Sequence, residues 1–215
     1  MVDVAIGEDG MDYAVKSGQT AASELLCYKI FAACGIAVPY SVILLMPDGS
    51  HAFGSRIERG LSNQPTTNPA ERNEWLKECG SLISAICALD YLIANDDRHL
   101  GNFLFLNGIN GRKVCMAMDF SRALLYAPWP LPATWAIPNN TSSTVMGLRS
   151  LTFWDTATAT QALLSAPAIQ QNTWSSWIDA IPVGWIKTDF KDTMSTWWGA
   201  SDFQTRLQDC MNAVK

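Results

Sequence analysis

Short runs of alternating hydrophobic and polar residues begin the chain. Residues 2–16 contain two such runs, separated at 8–10 by acidic residues and a glycine that are typical of a tight turn. The pattern predicts a β-hairpin. On its second strand, Ala14 and Lys16 are two residues apart and therefore share a face.

Two longer segments carry apolar residues at a helical repeat. Residues 20–34 predict a helix, with a threonine able to cap its start and a glycine after its end. A second helix is predicted from residue 69 to about residue 95, because the Asn-Pro-Ala-Glu run at 68–71 is a strong helix start. Gly80 marks a position where this helix could be interrupted.

Two further hairpins are predicted from paired β-forming runs. The first joins residues 42–46 and 52–57 through a Pro-Asp-Gly turn, and the second joins residues 103–106 and 114–118 through an Asn- and Gly-rich turn. The polar, Gly- and Pro-rich stretch at 59–69 is interpreted as the boundary between two lobes. The predicted domains are residues 1–60 and 61–215.

The last part of the chain is predicted to be helical after an irregular stretch. Residues 122–150 are rich in Pro, Trp, Thr and Asn and are expected to lack regular structure. Helices are predicted near residues 152–165, 168–181 and 201–214.

Composition narrows the class of protein. Of the 215 residues, 48% are hydrophobic and only 16% are charged, which excludes a disordered or fibrous chain. Fifteen basic against twenty acidic residues give a net charge of −5, which disfavours a broad basic face for nucleic acid. We therefore expect no direct nucleic-acid contact.

The location of the protein is predicted from what its sequence lacks. No basic and apolar leader opens the chain, and no apolar run is long enough to cross a bilayer, so we expect no membrane contact. Six scattered cysteines without a Cys-x-x-Cys pair, and only two histidines, disfavour a zinc site. The interpretation is a soluble, reduced, cytoplasmic protein.

Residues 123–178 carry five of the nine tryptophans and only two charged residues, Arg149 and Asp155. One interpretation is that this stretch forms a buried core in the C-terminal part of the protein. The alternative is an exposed apolar surface that binds a partner or a second copy of the chain.

Polar residues with the chemistry of a cation site follow the second predicted helix. A loop presents Asp97 and, five residues later, Asn102, and the third hairpin then returns Asp119 to the same edge. Mg²⁺ prefers oxygen ligands and needs only one or two protein carboxylates, because phosphates and water fill its other positions. A remaining carboxylate can orient a hydroxyl and accept its proton.

Upstream of this loop, Lys16 lies on a predicted strand and Glu24 lies in the first turns of the next helix. This order of elements is typical of kinases: a lysine on a strand, a glutamate on the next helix, a hairpin, a second helix, a loop with an aspartate, and another hairpin followed by an aspartate. In that arrangement Glu24 holds Lys16, and Lys16 neutralises phosphate oxygens of the nucleotide.

The sequence resembles the HipA-like kinases, a bacterial branch of the protein-kinase-like superfamily. The resemblance runs from the strand with Lys16 to the Asp-Phe-Ser run at 119–121, and the Asp-Arg-His-x-x-Asn order at 97–102 is shared with phosphatidylinositol kinases. The other matching segments are Tyr-Ala-Val-Lys at 13–16, Ala-Cys-Gly-Ile-Ala-Val-Pro at 33–39 and Ala-Phe-Gly-Ser-Arg at 52–56.

The resemblance implies a role for each matching residue. Asp97 is implied as the catalytic base, with Asn102 and Asp119 as Mg²⁺ ligands. Lys16 is implied as the phosphate-contacting lysine and Glu24 as its partner, and residues 57–60 fall where such kinases run along the adenine. His99 is expected to pack under the loop and hold it.

The resemblance also implies the fold and the function. The expected fold is α+β and bilobal, with a small, mainly β N-lobe carrying one helix and a larger helical C-lobe. The expected function is ATP- and Mg²⁺-dependent phosphorylation of a protein serine or threonine, with the toxin kinase of a toxin–antitoxin pair as one form of it. An antitoxin or another regulatory protein is the partner that this implies.

Two other functions remain open from the sequence. One is a kinase for a small molecule or a lipid headgroup, which the Asp-Arg-His-x-x-Asn order also allows. The other is a pseudokinase or interaction module, because about fifteen residues precede Lys16 and no Gly-rich loop that could cover the phosphates is visible among them. A partner supplying such a cover is a further alternative.

Overall fold

A four-stranded antiparallel sheet forms most of the N-terminal part of the protein. The computed structural model describes residues 3–64 and 66–215. The strands lie in the order β1-β2-β4-β3, with β1 at one edge. Their bounds are Asp3–Ile6 for β1, Asp12–Lys16 for β2, Ser41–Leu45 for β3 and His51–Arg56 for β4.

Both N-terminal hairpins predicted from the turn residues are confirmed, and the second places its return strand next to the first. Strand β4 pairs with β3 and also with β2, where Lys16 lies opposite Phe53 and Ala14 opposite Ser55. This register places Lys16 at the end of a strand that has a neighbour on each side.

Helix α1 (Gly18–Ala33) follows β2 almost at once, through Gly18 in the left-handed region at a φ of +60°. It begins two residues before the predicted start at residue 20. Ten of its sixteen residues are buried, including the polar Ser23 and Glu24. A helix that is buried on most sides lies within the core rather than on its surface.

Helix α2 (Pro69–Leu92) is the longest element described, at 24 residues. Its start is as predicted, since the side chain of Asn68 accepts a hydrogen bond from the Ala70 N–H at 2.9 Å. The interruption considered at Gly80 does not occur. A β-carbon at Gly80 would lie 2.5 Å from the Phe153 carbonyl oxygen, so the glycine allows close packing rather than a break.

The third predicted hairpin is also confirmed. It consists of β5 (Phe103–Asn107) and β6 (Lys113–Ala117), which pair in an antiparallel register with Phe103 opposite Ala117. This hairpin packs against α2. The end of β6 therefore returns the chain to the residues that follow α2.

Five helices complete the chain, and two of them differ from the sequence prediction. Part of the stretch expected to be irregular, 122–150, is helix α3, and another helix, α6, lies where none was predicted. The bounds are Asn140–Ser150 for α3, Thr156–Ser165 for α4, Gln171–Asp179 for α5, Thr188–Trp197 for α6 and Ser201–Ala213 for α7.

The tryptophans of residues 123–178 contribute to the core, which confirms the first of the two interpretations above. Trp174 is fully buried and stacks on Trp198 with ring centroids 4.7 Å apart. The remaining four are partly buried and pack against the same core: Trp129, Trp135, Trp154 and Trp177.

The whole is an α+β fold with a small β-rich N-terminal region and a larger helical C-terminal region, as predicted. One hydrophobic core contains residues of both regions, and the division at residues 60 and 61 stays a prediction. Among the described residues, no helix has the length and apolar character needed to cross a membrane.

Candidate active site

Lys16 joins two acidic residues that are far apart in the sequence. Its ammonium forms an ion pair with Glu24 and a second one, at 2.6 Å, with Oδ1 of Asp119. Strand β2 brings Lys16 to this place and α1 brings Glu24, while Asp119 is the second residue after the β5–β6 hairpin. Three of the five predicted site residues therefore lie in direct contact.

The charges of this triad are strongly coupled. Burial raises the pKa of Glu24 to about 7, and the Lys16 charge limits the rise. Burial alone would lower the pKa of Lys16, but the two carboxylates raise it, so the ammonium stays charged. Burial also opposes ionisation of Asp119, yet Lys16 together with Ser121 lowers the pKa of Asp119 to about 2. A cation is thus held at neutral pH between one ionised carboxylate and one that titrates near neutrality.

Helix α1 also fixes the Asp-Phe-Ser run. The Phe120 N–H donates to Oε1 of Glu24 at 2.9 Å, and the Ser23 hydroxyl donates to the carbonyls of Phe120 and Ala123 at 3.0 and 2.5 Å. The Phe120 ring packs against Phe31 with centroids 4.5 Å apart. The position of Asp119 therefore depends on the same helix that carries Glu24.

The backbone of Asp119 is unusual for a residue with a side chain. Its φ of +57° lies in the left-handed region, which aspartate tolerates better than most residues do. Non-glycine residues in this region often occur at functional sites, where the surrounding structure holds them in place.

The loop after α2 places Asp97 and Asn102 beside this triad. Asn102 is buried, and its side-chain amide donates to the Asp97 carbonyl oxygen at 2.9 Å. The Met118 N–H donates to the Asn102 carbonyl at 3.2 Å, so Asn102 lies opposite the residue before Asp119. A network of hydrogen bonds thus joins Asp97 to Asn102 and Asn102 to the backbone next to Asp119, whereas no hydrogen bond between described residues joins either side chain to the triad.

The oxygen atoms needed for Mg²⁺ are available in this network. Within the described residues, 3–64 and 66–215, neither Asp119 Oδ2 nor Asn102 Oδ1 takes part in a hydrogen bond. No cluster of three His, Cys, Asp or Glu side chains occurs in the same residues. One carboxylate and one amide oxygen fit Mg²⁺, whose other ligands come from phosphate and water.

Arg98, rather than His99, holds the loop from below. The expectation that His99 packs under the loop is wrong, because His99 is exposed and only accepts a hydrogen bond at Nδ1 from the Gly101 N–H at 3.1 Å. Arg98 is fully buried and forms a two-point ion pair with Asp90 of α2, at 2.8 and 3.1 Å. A buried guanidinium with a buried carboxylate meets the requirement that interior charges be paired.

The Arg98 guanidinium also binds the backbone on both sides of the site. It donates to the Asn102 carbonyl at 2.6 Å and to the Met118 carbonyl. One side chain therefore connects the loop with the strand end that carries Asp119. The signal in the sequence was Asp90, an isolated charge within the apolar second half of α2.

Helix α3, which the sequence prediction missed, contacts the same loop. The Thr141 hydroxyl donates to the Asn95 carbonyl at 2.7 Å and accepts from the Arg98 N–H at 2.9 Å. The Thr144 hydroxyl donates to the Arg98 carbonyl at 2.8 Å. The Asn-Asn-Thr-Ser run at 139–142 could have indicated a helix start, because Asn is a preferred N-cap.

A pocket of about 360 Å³ opens beside the triad, within the size range of small-molecule sites. Its polar end contains Lys16, Glu24 and Asp119. Apolar and polar side chains from both regions line the rest, among them Ile57 and Glu58, where the sequence analysis expected the chain to run along the adenine. The apolar lining includes Ala14, Phe53, Leu104 and Met118.

A larger cavity, about 690 Å³, lies between residues 129–135 and helices α6 and α7. The guanidinium of Arg206 in its wall donates to backbone carbonyls, among them those of Leu92 and Tyr91. None of the five predicted site residues lines this cavity. The smaller pocket, which Lys16, Glu24 and Asp119 line and Asp97 and Asn102 do not, is therefore the candidate active site.

No family model and no curated protein matches this sequence. Solved structures do resemble its fold. The Helicobacter pylori proinflammatory kinase CtkA superposes with a TM-score of 0.62 at 14% identity, and the match covers 100% of this chain and 95% of that one.

Two longer proteins contain a similar fold. The match to the N-terminal 618-residue fragment of LepB from Legionella pneumophila has a TM-score of 0.58 at 15% identity and covers 98% of this chain but 46% of that fragment. The match to Shewanella oneidensis HipA, solved with HipB and operator DNA, has a TM-score of 0.50 at 11% identity. It covers 94% of this chain and 57% of the HipA chain. At these identities the comparisons concern the fold alone, and the fold of this chain is kinase-like.

Proposed function

We propose that the protein is an ATP- and Mg²⁺-dependent phosphotransferase of HipA-like type that acts on a serine or threonine hydroxyl of a protein. The observation that carries the proposal is the contact of Lys16 with both Glu24 and Asp119 at the polar end of the pocket. A lysine paired with a helix glutamate is the arrangement by which kinases hold nucleotide phosphates.

The residues of the site divide the chemistry among them. Asp97 accepts the proton of the acceptor hydroxyl. As it does so, the hydroxyl oxygen forms a bond to the γ-phosphorus, and the bond between that phosphorus and the bridging oxygen breaks to release ADP. Lys16 neutralises charge on the phosphate oxygens, and Glu24 keeps Lys16 in place. Asn102 and Asp119 would hold Mg²⁺, which supplies charge stabilisation for the transferring phosphoryl group.

The Lys16–Asp119 contact bears on how the nucleotide would enter. With Asp119 bound to both Lys16 and Ser121, its Oδ1 is occupied by donors. Phosphate oxygens compete for Lys16, and the cation competes for Asp119. We therefore expect nucleotide and Mg²⁺ to bind more tightly together than either binds alone.

Variants at two acidic residues test the proposal. Asp97→Asn is expected to lower the rate of transfer from γ-labelled Mg-ATP by roughly 10²–10⁴ while Mg-ATP still binds, because a positioned base contributes about that much. Asp119→Asn is expected to weaken Mg-ATP binding, measured by calorimetry with and without Mg²⁺. A rate change below about tenfold in Asp97→Asn, or unchanged Mg-ATP affinity in Asp119→Asn, contradicts the assignments.

The likeness to HipA extends the proposal to a partner. That protein was solved with HipB and operator DNA, so a toxin–antitoxin role with a regulatory protein is part of the proposal. Co-purification of a protein encoded beside this one, with inhibition of transfer, would support the role. If no such protein affects phosphoryl transfer, the toxin–antitoxin part of the proposal fails and the kinase part remains.

A further inference from the structure

The carboxylate of Asp97 is held by a residue outside its own loop. Nδ2 of Asn140, the first residue of α3, donates to Oδ1 of Asp97 at 2.5 Å. Within the part of the chain that the structure describes, this is the one hydrogen bond to the Asp97 carboxylate. Oδ2 is thereby left for another donor, such as an acceptor hydroxyl.

The backbone at the start of α3 cannot move independently of the loop. The N–H groups of Asn140 and Thr141 donate to the Asp96 carbonyl at 3.1 and 3.4 Å. The Thr141 hydroxyl bonds on both sides of Asp97, to the Asn95 carbonyl and from the Arg98 N–H. The Asn140 amide is therefore presented to Asp97 from a fixed point.

Among the described residues, the Asn140 side chain makes no hydrogen bond within its own helix. The N-cap of α3 is Asn139, whose Oδ1 accepts from the Ser142 N–H at 2.8 Å while the Ser142 hydroxyl accepts from the Asn139 N–H at 2.9 Å. The neighbouring carboxylate of Asp96 is bound by Arg122 at 2.9 and 3.0 Å. The Asn140 amide is left to serve Asp97.

We propose that Asn140 is a positioning residue for Asp97. By fixing Oδ1, the amide selects the rotamer that points Oδ2 at the acceptor hydroxyl. The proposal rests on the proposed function, because it deepens the role of Asp97 in it. A hydrogen bond to a charged group is strong enough that its loss should lower kcat by about 10- to 100-fold.

Two substitutions separate positioning from a structural role. Asn140→Ala removes the donor, whereas Asn140→Asp keeps the shape but places a second carboxylate against Asp97. A negative charge in the first turn stabilises a helix, so a structural role predicts that Asn140→Asp is no worse than Asn140→Ala. Positioning predicts the opposite order, because the two carboxylates repel each other.

The kinetic experiment measures phosphoryl transfer against ATP concentration with a fixed amount of lysate protein as acceptor. The expected result is that kcat falls from wild type to Asn140→Ala to Asn140→Asp, while KM for ATP stays within about twofold. Asn139→Ala, which removes the cap and the amide's hydrogen bonds to the Thr134 and Ile137 carbonyls but no contact with Asp97, is the matched control and is expected to keep kcat near the wild-type value. Equal kcat in wild type and Asn140→Ala, or an equal fall in Asn139→Ala, overturns the proposal.

A second measurement does not depend on activity. In spectra of ¹⁵N-labelled protein, Asp97→Ala is expected to shift the side-chain amide resonances of Asn140, whereas the exposed neighbour change Ser143→Ala is not. Unmoved Asn140 resonances in Asp97→Ala overturn the positioning role whatever the kinetics show. If wild type transfers no label but the resonances do shift, the contact stands and the proposed function fails.

Discussion

The buried ion pair of Arg98 and Asp90 is predicted to be the strongest single polar support of the loop. Both side chains are fully shielded from solvent. In Arg98→Met the Asp90 carboxylate keeps only its hydrogen bond from Asn95, at 2.7 Å, and the carbonyls of Asn102 and Met118 lose a donor. Breaking a buried pair at one partner costs about 3–5 kcal/mol, because the other charge stays buried without compensation.

The same reasoning gives a smaller cost for removing both partners. In the double variant Arg98→Met/Asp90→Leu no unpaired charge remains. The Met118 carbonyl loses its Arg98 donor and the buried Asn95 amide loses its acceptor, whereas the Asn102 carbonyl keeps the Met118 N–H. Leaving a buried acceptor without a partner costs about 1–3 kcal/mol. We therefore expect the double variant to be more stable than Arg98→Met alone.

Urea denaturation followed by circular dichroism measures these free energies of unfolding. The chain supplies a matched control in Arg122 and Asp96, which also form a two-point pair but are 45% and 31% exposed. Arg122→Met is expected to cost less than about 1 kcal/mol, because exposed pairs contribute little.

Two results would refute this account of Arg98. The first is a cost below about 1 kcal/mol for Arg98→Met, comparable to that for Arg122→Met. The second is strict additivity, in which the cost of the double variant relative to wild type equals the sum of the costs of Arg98→Met and Asp90→Leu. Additivity would mean that the two side chains do not interact.

Two further predictions concern stability. In the folded protein Glu24 has a pKa of about 7, against an ordinary value of 4.5, so between these pH values the folded state holds a proton that the unfolded state has lost. The free energy of unfolding therefore falls as the pH rises through this window. Between pH 5 and 8, wild type should lose about 2–3 kcal/mol relative to Glu24→Gln in urea denaturation, and parallel pH profiles would contradict this. Gly80→Ala is expected to destabilise by about 1–3 kcal/mol, because its β-carbon meets the Phe153 carbonyl, whereas Gly147→Ala has free space around it and should stabilise by up to about 1 kcal/mol. Thermal unfolding compares the two, and equal effects would refute the packing argument.

Elements with strong local signals were predictable from the sequence. The three hairpins have turn residues that leave few alternatives, and α2 has the Asn-Pro start that the structure uses. The pairing of Lys16 with Glu24 was predicted from their kinase-like order on a strand and the next helix, whereas the ion pair of Lys16 with Asp119 was not predicted. The local sequence pattern was sufficient to predict these elements, because their own residues determine where they begin and end.

Helix α3 was not predictable from its pattern. Its residues include Thr, Ser, Val and Gly, which are poor helix formers, and they form no wide apolar stripe. The capping box of Asn139 and Ser142 and the hydrogen bonds of Thr141 and Thr144 to the loop after α2 stabilise it instead. Such tertiary contacts are invisible in a local pattern.

The error at His99 has a related cause. In the Asp-Arg-His run, the choice between Arg98 and His99 as the buried residue depends on Asp90, which lies eight residues before Arg98, in the last turn of α2. A single buried carboxylate in an apolar helix requires a partner, and an arginine satisfies it at two points. Only the packing of α2 against the loop shows that Arg98 is the partner of Asp90.

The most direct test of the central claim is transfer from γ-labelled Mg-ATP into the proteins of a bacterial lysate, with wild type beside Asp97→Asn. The account predicts labelled protein bands, or labelling of the protein itself, that vanish in the variant while both forms bind Mg-ATP. Equal labelling in the two forms, or ATP binding with no labelled protein in either, would contradict a protein kinase that uses Asp97. The second outcome would favour a small-molecule acceptor or a nucleotide-binding module.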